Sequence, residues 1–115
     1  MPDHFHLLII VPKSTSISKL MQSLYRNFTI NYKNLHYITA RTKLWQPEFW
    51  DHVIRNEQDY LSHLDYIHYN PVKHGYVTCP VDYSHTSFHD YVQRSWYDVD
   101  WGCVEPDGML DLDFE

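Results

Sequence analysis

Apolar and polar positions along the chain separate into two periods. "HFHLLIIVP" is an almost unbroken apolar run closed by Pro12, and it reads as a strand. "KSTS" follows as a loop able to cap a helix. Ile17, Leu20, Met21, Leu24, Phe28 and Tyr32 then recur at spacings of three and four. That spacing predicts an amphipathic helix from about Ser16 to Leu35, with Lys19, Gln22, Arg26 and Lys33 on its other face. "FWDHVIR" alternates like a short strand. Asn56 is placed to cap a second helix, "EQDYLSHLDYIHYN", which Pro71 is expected to stop. "SHTSFHDYVQRSW" reads as a short third helix. Two short strands with helices make the chain α+β.

Within the first strand, side chains two apart share a face, so His4 and His6 point the same way and Phe5 points to the other side. Two imidazoles on one face suit a divalent metal, although a wet strand face that happens to hold histidine explains them equally well. The second helix has two stripes. Tyr60, Leu64 and Ile67 form the apolar one, with Leu61 at its margin. Asp59, His63, Tyr66 and Asn70 form a polar one, which makes the phenol of Tyr66 and the carboxamide of Asn70 neighbours. A carboxamide oxygen can complete a metal site begun by two imidazoles, and a tyrosine beside that metal can attack phosphorus. Taken singly, Tyr66 also fits an amphipathic surface tyrosine and Asn70 a helix-ending residue before proline. Tyr60 and Tyr69 are the rival nucleophiles; Tyr60 falls on the apolar stripe and Tyr69 is rotated away from Asn70 by roughly 100°.

Composition sharpens this reading. The 115 residues suffice for one domain, and no run is long enough to cross a membrane or patterned as a signal peptide. Net charge is −6, which argues against a nucleic-acid binder until its distribution is considered. From His4 to Pro47 there are six basic side chains and no acidic one. From Asp98 onward there are seven acidic side chains and no basic one. The first half can therefore sit on phosphate, and the acidity belongs to a tail, residues 98–115. Cys79 and Cys103 form no CxxC pair and read as reduced thiols, with a lone disulfide as the alternative.

"MPDHFHLLI" resembles the His–hydrophobic–His motif of HUH endonucleases, and "WQPEFWDHVIRNEQDY" followed by "LDYIHYNPVKHGYV" is similar to the REP-associated tyrosine transposases. The resemblance implies a partial ferredoxin-like fold over residues 1–97, an antiparallel sheet with helices on one face. It also implies that the strand–helix–strand preceding the His motif in relatives is missing. His4, His6 and Asn70 match the metal ligands, Mg²⁺ or Mn²⁺ being the metal, and Tyr66 matches the nucleophile. The implied substrate is single-stranded DNA beside a hairpin of a repetitive extragenic palindrome, cleaved through a 5′-phosphotyrosine in a bacterial cytoplasm. By position, Lys19, Arg26, Lys33, His52, Arg55, Lys73 and His74 are candidate DNA contacts, and His63 a candidate for orienting water or phosphate. Unpaired strand edges would favour a homodimer. Two other classes stay open: a catalytically inactive DNA-binding remnant of such a transposase, and a small protein whose histidines bind metal structurally.

Overall fold

The computed structural model describes residues 1–112 and 114, with the side chain of Leu110 outside that description. Among the described residues there are three α-helices: α1 (Ile17–Leu35), α2 (Glu57–Lys73) and α3 (Phe88–Gln93). Single 3₁₀ turns lie at Pro80–Asp82 and Met109–Asp111. No strand forms among the described residues, so the expected antiparallel sheet is absent from them. The physical reason is that a strand is stable only as part of a ladder. The two segments with strand-like patterns, 5–11 and 49–55, do not pair, and even a paired two-stranded ribbon would be marginal. The expected dimer through strand edges consequently has no formed strand to act through among these residues. Among the described residues no helix is long and apolar enough to cross a membrane.

The chain divides into two compact units, Ile9–Asp51 and Met1–Leu8 with His52–Glu115. The first is built on α1. Ser16 caps it by accepting a hydrogen bond from the Lys19 N–H at 3.3 Å, as the "KSTS" loop suggests. Of its apolar stripe only Met21 is buried, while Leu24 and Phe28 remain 40% and 49% exposed. The partner of this stripe within the unit is Trp45. Its indole stacks on Tyr25 with ring centroids 4.3 Å apart and meets Phe28 edge-on at 5.1 Å. The Trp45 Nε1–H donates to Thr29 Oγ1 at 3.0 Å, which satisfies the polar end of a half-buried indole.

The second unit is organised around α2. Asn56 caps it through the Asp59 N–H at 2.9 Å, and Glu57 and Asp59 sit in the favourable first turn. Pro71 does not stop this helix, contrary to the expectation above; α2 continues to Lys73. Proline removes one N–H only, and the turn closes behind it because the His74 N–H donates to the Asn70 carbonyl at 3.0 Å.

The segment after α2 wraps back over it as an aromatic envelope. His68 is fully buried at its centre, with ring centroids of Tyr91, Tyr97 and Phe88 at 5.1, 5.3 and 5.6 Å. Its Nε2 lies 2.8 Å from Ser87 Oγ. Tyr97 packs at a tilt against Trp101, ring centroids 4.6 Å apart, and donates its hydroxyl to Asp65 at 2.5 Å. Burial raises the Asp65 carboxyl above its ordinary value, and burial first, then this hydrogen bond, raises the Tyr97 phenol far above its own. Cys79 and Cys103, expected as thiols, are joined in a disulfide 24 residues apart in sequence. Their approach depends on Gly102, at φ +77°, where a Cβ would stand 2.7 Å from Pro80 Cγ. Only glycine lets the chain pass that ring in a left-handed conformation.

Burial lowers the His68 imidazole from 6.5 to about 4. The folded form holds it neutral, while the unfolded chain takes up a proton below about 6.5. The associated stability is therefore fully present above pH 6.5 and is lost as pH falls toward 4, by up to about 3 kcal/mol. Thermal melts between pH 7 and 4 should show this decline, and His68→Gln should remove most of its slope.

Candidate active site and nucleic-acid interface

Five polar residues of α2, Asp59, His63, Tyr66, Asn70 and Lys73, follow one another at intervals of four, three, four and three. They form one stripe along the helix. Far from facing solvent, its middle is buried: Tyr66 is 2% exposed and Asn70 is fully buried. The polar stripe is thus covered, and residues 1–8 contribute to the covering.

The N-terminal segment brings its two histidines to this stripe. His4 Nε2 lies 3.3 Å from Asn70 Oδ1. The His4 and His6 ring centroids are 5.4 Å apart, and the His6 ring meets the Tyr66 ring edge-on at 5.6 Å. Asp3 accepts from His4 Nδ1 at 2.7 Å, and this bond holds the Asp3 carboxyl below its ordinary value. With Nδ1 carrying the proton, His4 Nε2 presents a lone pair toward the lone pairs of Asn70 Oδ1. Two such atoms repel unless a proton or a cation lies between them, and 3.3 Å is close to the spacing of two ligands on one metal ion. The donor set, imidazole nitrogens and a carboxamide oxygen, therefore fits a divalent cation.

Lys73 extends the site. Its Nζ donates to the Tyr66 hydroxyl at 3.0 Å and lies 4.7 Å from the centre of the ring. Position had suggested Lys73 only as a DNA contact. The signal that would have placed it here is its spacing, seven residues after Tyr66 and three after Asn70. His74, at the C-terminal cap, packs its ring 4.8 Å from that of His4. The rival tyrosines have other partners: the Tyr60 hydroxyl lies 3.3 Å from that of Tyr91, and the Tyr69 ring meets Trp101 at 6.4 Å. The Tyr60 phenol is raised above its ordinary value first by the Tyr91 hydrogen bond, and the Tyr69 phenol by burial.

His52 and Arg55 do not join Tyr66. Both bind Asp59, His52 Nε2 at 2.8 Å and the Arg55 N–H at 3.0 Å. These bonds, led by that of His52, hold the Asp59 carboxyl far below the ordinary range. His63 stacks under Phe114, centroids 3.9 Å apart, and Phe114 also meets the Tyr66 ring at 5.0 Å. At least one residue of the acidic tail thus lies against this stripe.

In the other unit, Lys19, Arg26 and Lys33 repeat every seven residues along α1, which places them on one face about 10 Å apart. Lys19 and Arg26, with Gln22, Ser23, Asn27 and Ile30, line a shallow depression. A row of cations beside amide and hydroxyl groups is a surface suited to phosphates.

The profile of the family "Transposase IS200 like" matches residues 1–70. A protein of Haemophilus influenzae assigned as a REP-associated tyrosine transposase is 37% identical over 114 residues, covering 89% of this chain and 62% of that protein. The REP-associated tyrosine transposase of Escherichia coli is 36% identical over 102 residues, covering 88% of this chain and 58% of the relative. A solved structure of a REP-associated tyrosine transposase bound to a REP hairpin superposes with a TM-score of 0.60 at 36% identity, covering 80% of this chain and 52% of the other. This chain thus spans a little over half the length of the relatives it matches. With more than half its residues under the family profile, the chain belongs to the IS200-like transposase family.

Proposed function

We propose that this chain carries the chemistry of a metal-dependent single-strand DNA transferase acting beside REP hairpins, with Tyr66 as nucleophile. The observation that carries this reading is the meeting of His4 with Asn70 at 3.3 Å, one helical turn from a tyrosine whose hydroxyl receives a lysine hydrogen bond. The hairpin substrate is taken from the solved relative. His4, His6 and Asn70 would hold Mg²⁺ or Mn²⁺, which when bound polarises a phosphate oxygen and makes the phosphorus electrophilic.

The remaining work falls to side chains. The Tyr66 oxygen attacks phosphorus; an O–P bond forms, the P–O3′ bond breaks, and a 5′-phosphotyrosine and a 3′-hydroxyl result. The phenolic proton leaves to solvent, and the departing 3′-oxygen takes one up. Lys73, as an ammonium, stabilises the phenolate before attack and accepts no proton itself. The reverse step, attack by a 3′-hydroxyl on the phosphotyrosine, rejoins strands. Lys19, Arg26 and Lys33 bind phosphate without reading sequence.

A second reading, a silent DNA-binding remnant, draws support from the near-complete burial of Tyr66. One experiment separates the two. Labelled hairpin DNA with a single-stranded flank is incubated with the protein and Mn²⁺, and a denaturant-resistant adduct is sought. The transferase reading expects an adduct that Tyr66→Phe abolishes while DNA affinity stays within about twofold; binding with no adduct in the unaltered chain supports the remnant. Lys73→Met should slow adduct formation about tenfold near neutral pH and less at pH 9–10, where hydroxide assists ionisation.

The α1 face makes a separate prediction. Replacing Lys19, Arg26 and Lys33 together by alanine should reduce the slope of log affinity against log salt by about 2, from three lost phosphate contacts at roughly 0.7–0.9 each. An unchanged slope in fluorescence-anisotropy titrations removes this face from the interface.

A further inference from the structure

The start of α2 carries a second cluster of metal-ligating atoms that the transferase chemistry leaves unused. His52 Nε2 lies 2.8 Å from Asp59 Oδ2, and His63 Nδ1 lies 3.1 Å from Asp59 Oδ1. One ligand atom from each residue lies within 4.8 Å of the other two. The two imidazoles are stacked, 4.5 Å between centroids and 13° from parallel, and one nitrogen of each stands beside the same carboxylate. Half of this follows from the helix, since Asp59 and His63 stand at i and i+4. The other half follows from the cap. Asn56 Oδ1 takes the Asp59 N–H at 2.9 Å, and the Arg55 N–H donates to Asp59 Oδ2 at 3.0 Å, which fixes the turn that delivers residue 52.

We propose that His52, Asp59 and His63 form a zinc site, separate in its residues from the set of His4, His6 and Asn70. Two imidazoles and a carboxylate are a zinc-type donor set, with the fourth tetrahedral position left to water. Ligand atoms about 2.0–2.1 Å from zinc stand roughly 3.3–3.4 Å from one another. The His52 Nε2 contact at 2.8 Å is a hydrogen bond to the carboxylate, and His63 Nδ1 stands 3.1 Å from the other carboxylate oxygen. To take one dication, each imidazole moves its proton to the other ring nitrogen and the two rings tilt from their stack until their lone pairs converge. The Arg55 N–H and the capped turn keep the carboxylate ionised and aimed, as outer-shell donors do at metal sites. His63 Nδ1 also lies 2.8 Å from the Asp59 carbonyl and would give up that bond to become a ligand. The Arg55 guanidinium, with Nε 3.4 Å from Asp59 Oδ2, and the helix N-terminus oppose a cation and weaken its binding. His52 is 42% exposed and Asp59 and His63 are 10% and 12% exposed, which leaves an entry path on the His52 side while Phe114 covers His63.

Co²⁺, a visible-absorbing stand-in for zinc, tests this without DNA. The His4→Ala/His6→Ala variant lacks the other imidazole pair and should still bind about one equivalent of Co²⁺ with a tetrahedral spectrum, displaced by Zn²⁺. Adding His52→Ala or, at similar size, His52→Gln should weaken that binding at least tenfold while the helical circular-dichroism spectrum of the metal-free protein stays unchanged. Asp59→Asn should weaken it likewise. Absence of Co²⁺ binding in the first variant overturns the proposal, as does affinity unchanged by the His52 substitutions. Because no DNA is present, failure of the transferase reading leaves this outcome untouched.

Discussion

The carboxamide of Asn70, with no exposure to water, meets the imidazole of His4 at 3.3 Å, and a proton or cation shared by the two atoms makes that contact favourable. That contact joins residues 66 positions apart and fastens the N-terminal segment to the last turns of α2. It also decides what surrounds Tyr66. With His4 seated on Asn70, His6 falls beside the phenol ring, and Lys73 reaches the hydroxyl from the next turn.

The aromatic envelope keeps α2 in place for this. His68 stands on the side of the helix away from the Tyr66 stripe, ringed by Phe88, Tyr91 and Tyr97. Trp101 and the Cys79–Cys103 link extend that layer, with Gly102 fitted against Pro80. One face of α2 is thus devoted to packing and another to polar chemistry. Such a division suits a site whose parts must hold position while a phosphate enters.

Helix periods were readable because they depend on neighbours three and four residues away. Ser16 and Asn56 marked both helix starts, and the stripe of Asp59, His63, Tyr66 and Asn70 could be drawn before any coordinates. Strands failed for the converse reason: the apolar run 5–11 announces a tendency, but a ladder needs a partner that no local pattern supplies. Pro71 misled because a missing N–H matters little in a final turn. The cysteine pairing depends on a chain path around Pro80, which their spacing does not encode. The burial of Tyr66 was likewise illegible, since a polar stripe looks exposed until the segment covering it is placed.

The alternation of four and three along α2 acts as a ruler. Distances among Asp59, His63, Tyr66, Asn70 and Lys73 are set by the backbone screw of one rod, not by loops that drift. A single residue inserted between Tyr66 and Asn70 would turn everything downstream by about 100° and carry Asn70 and Lys73 off the common line. A substitution on this helix removes one side chain from the line, whereas a change of phase removes several at once.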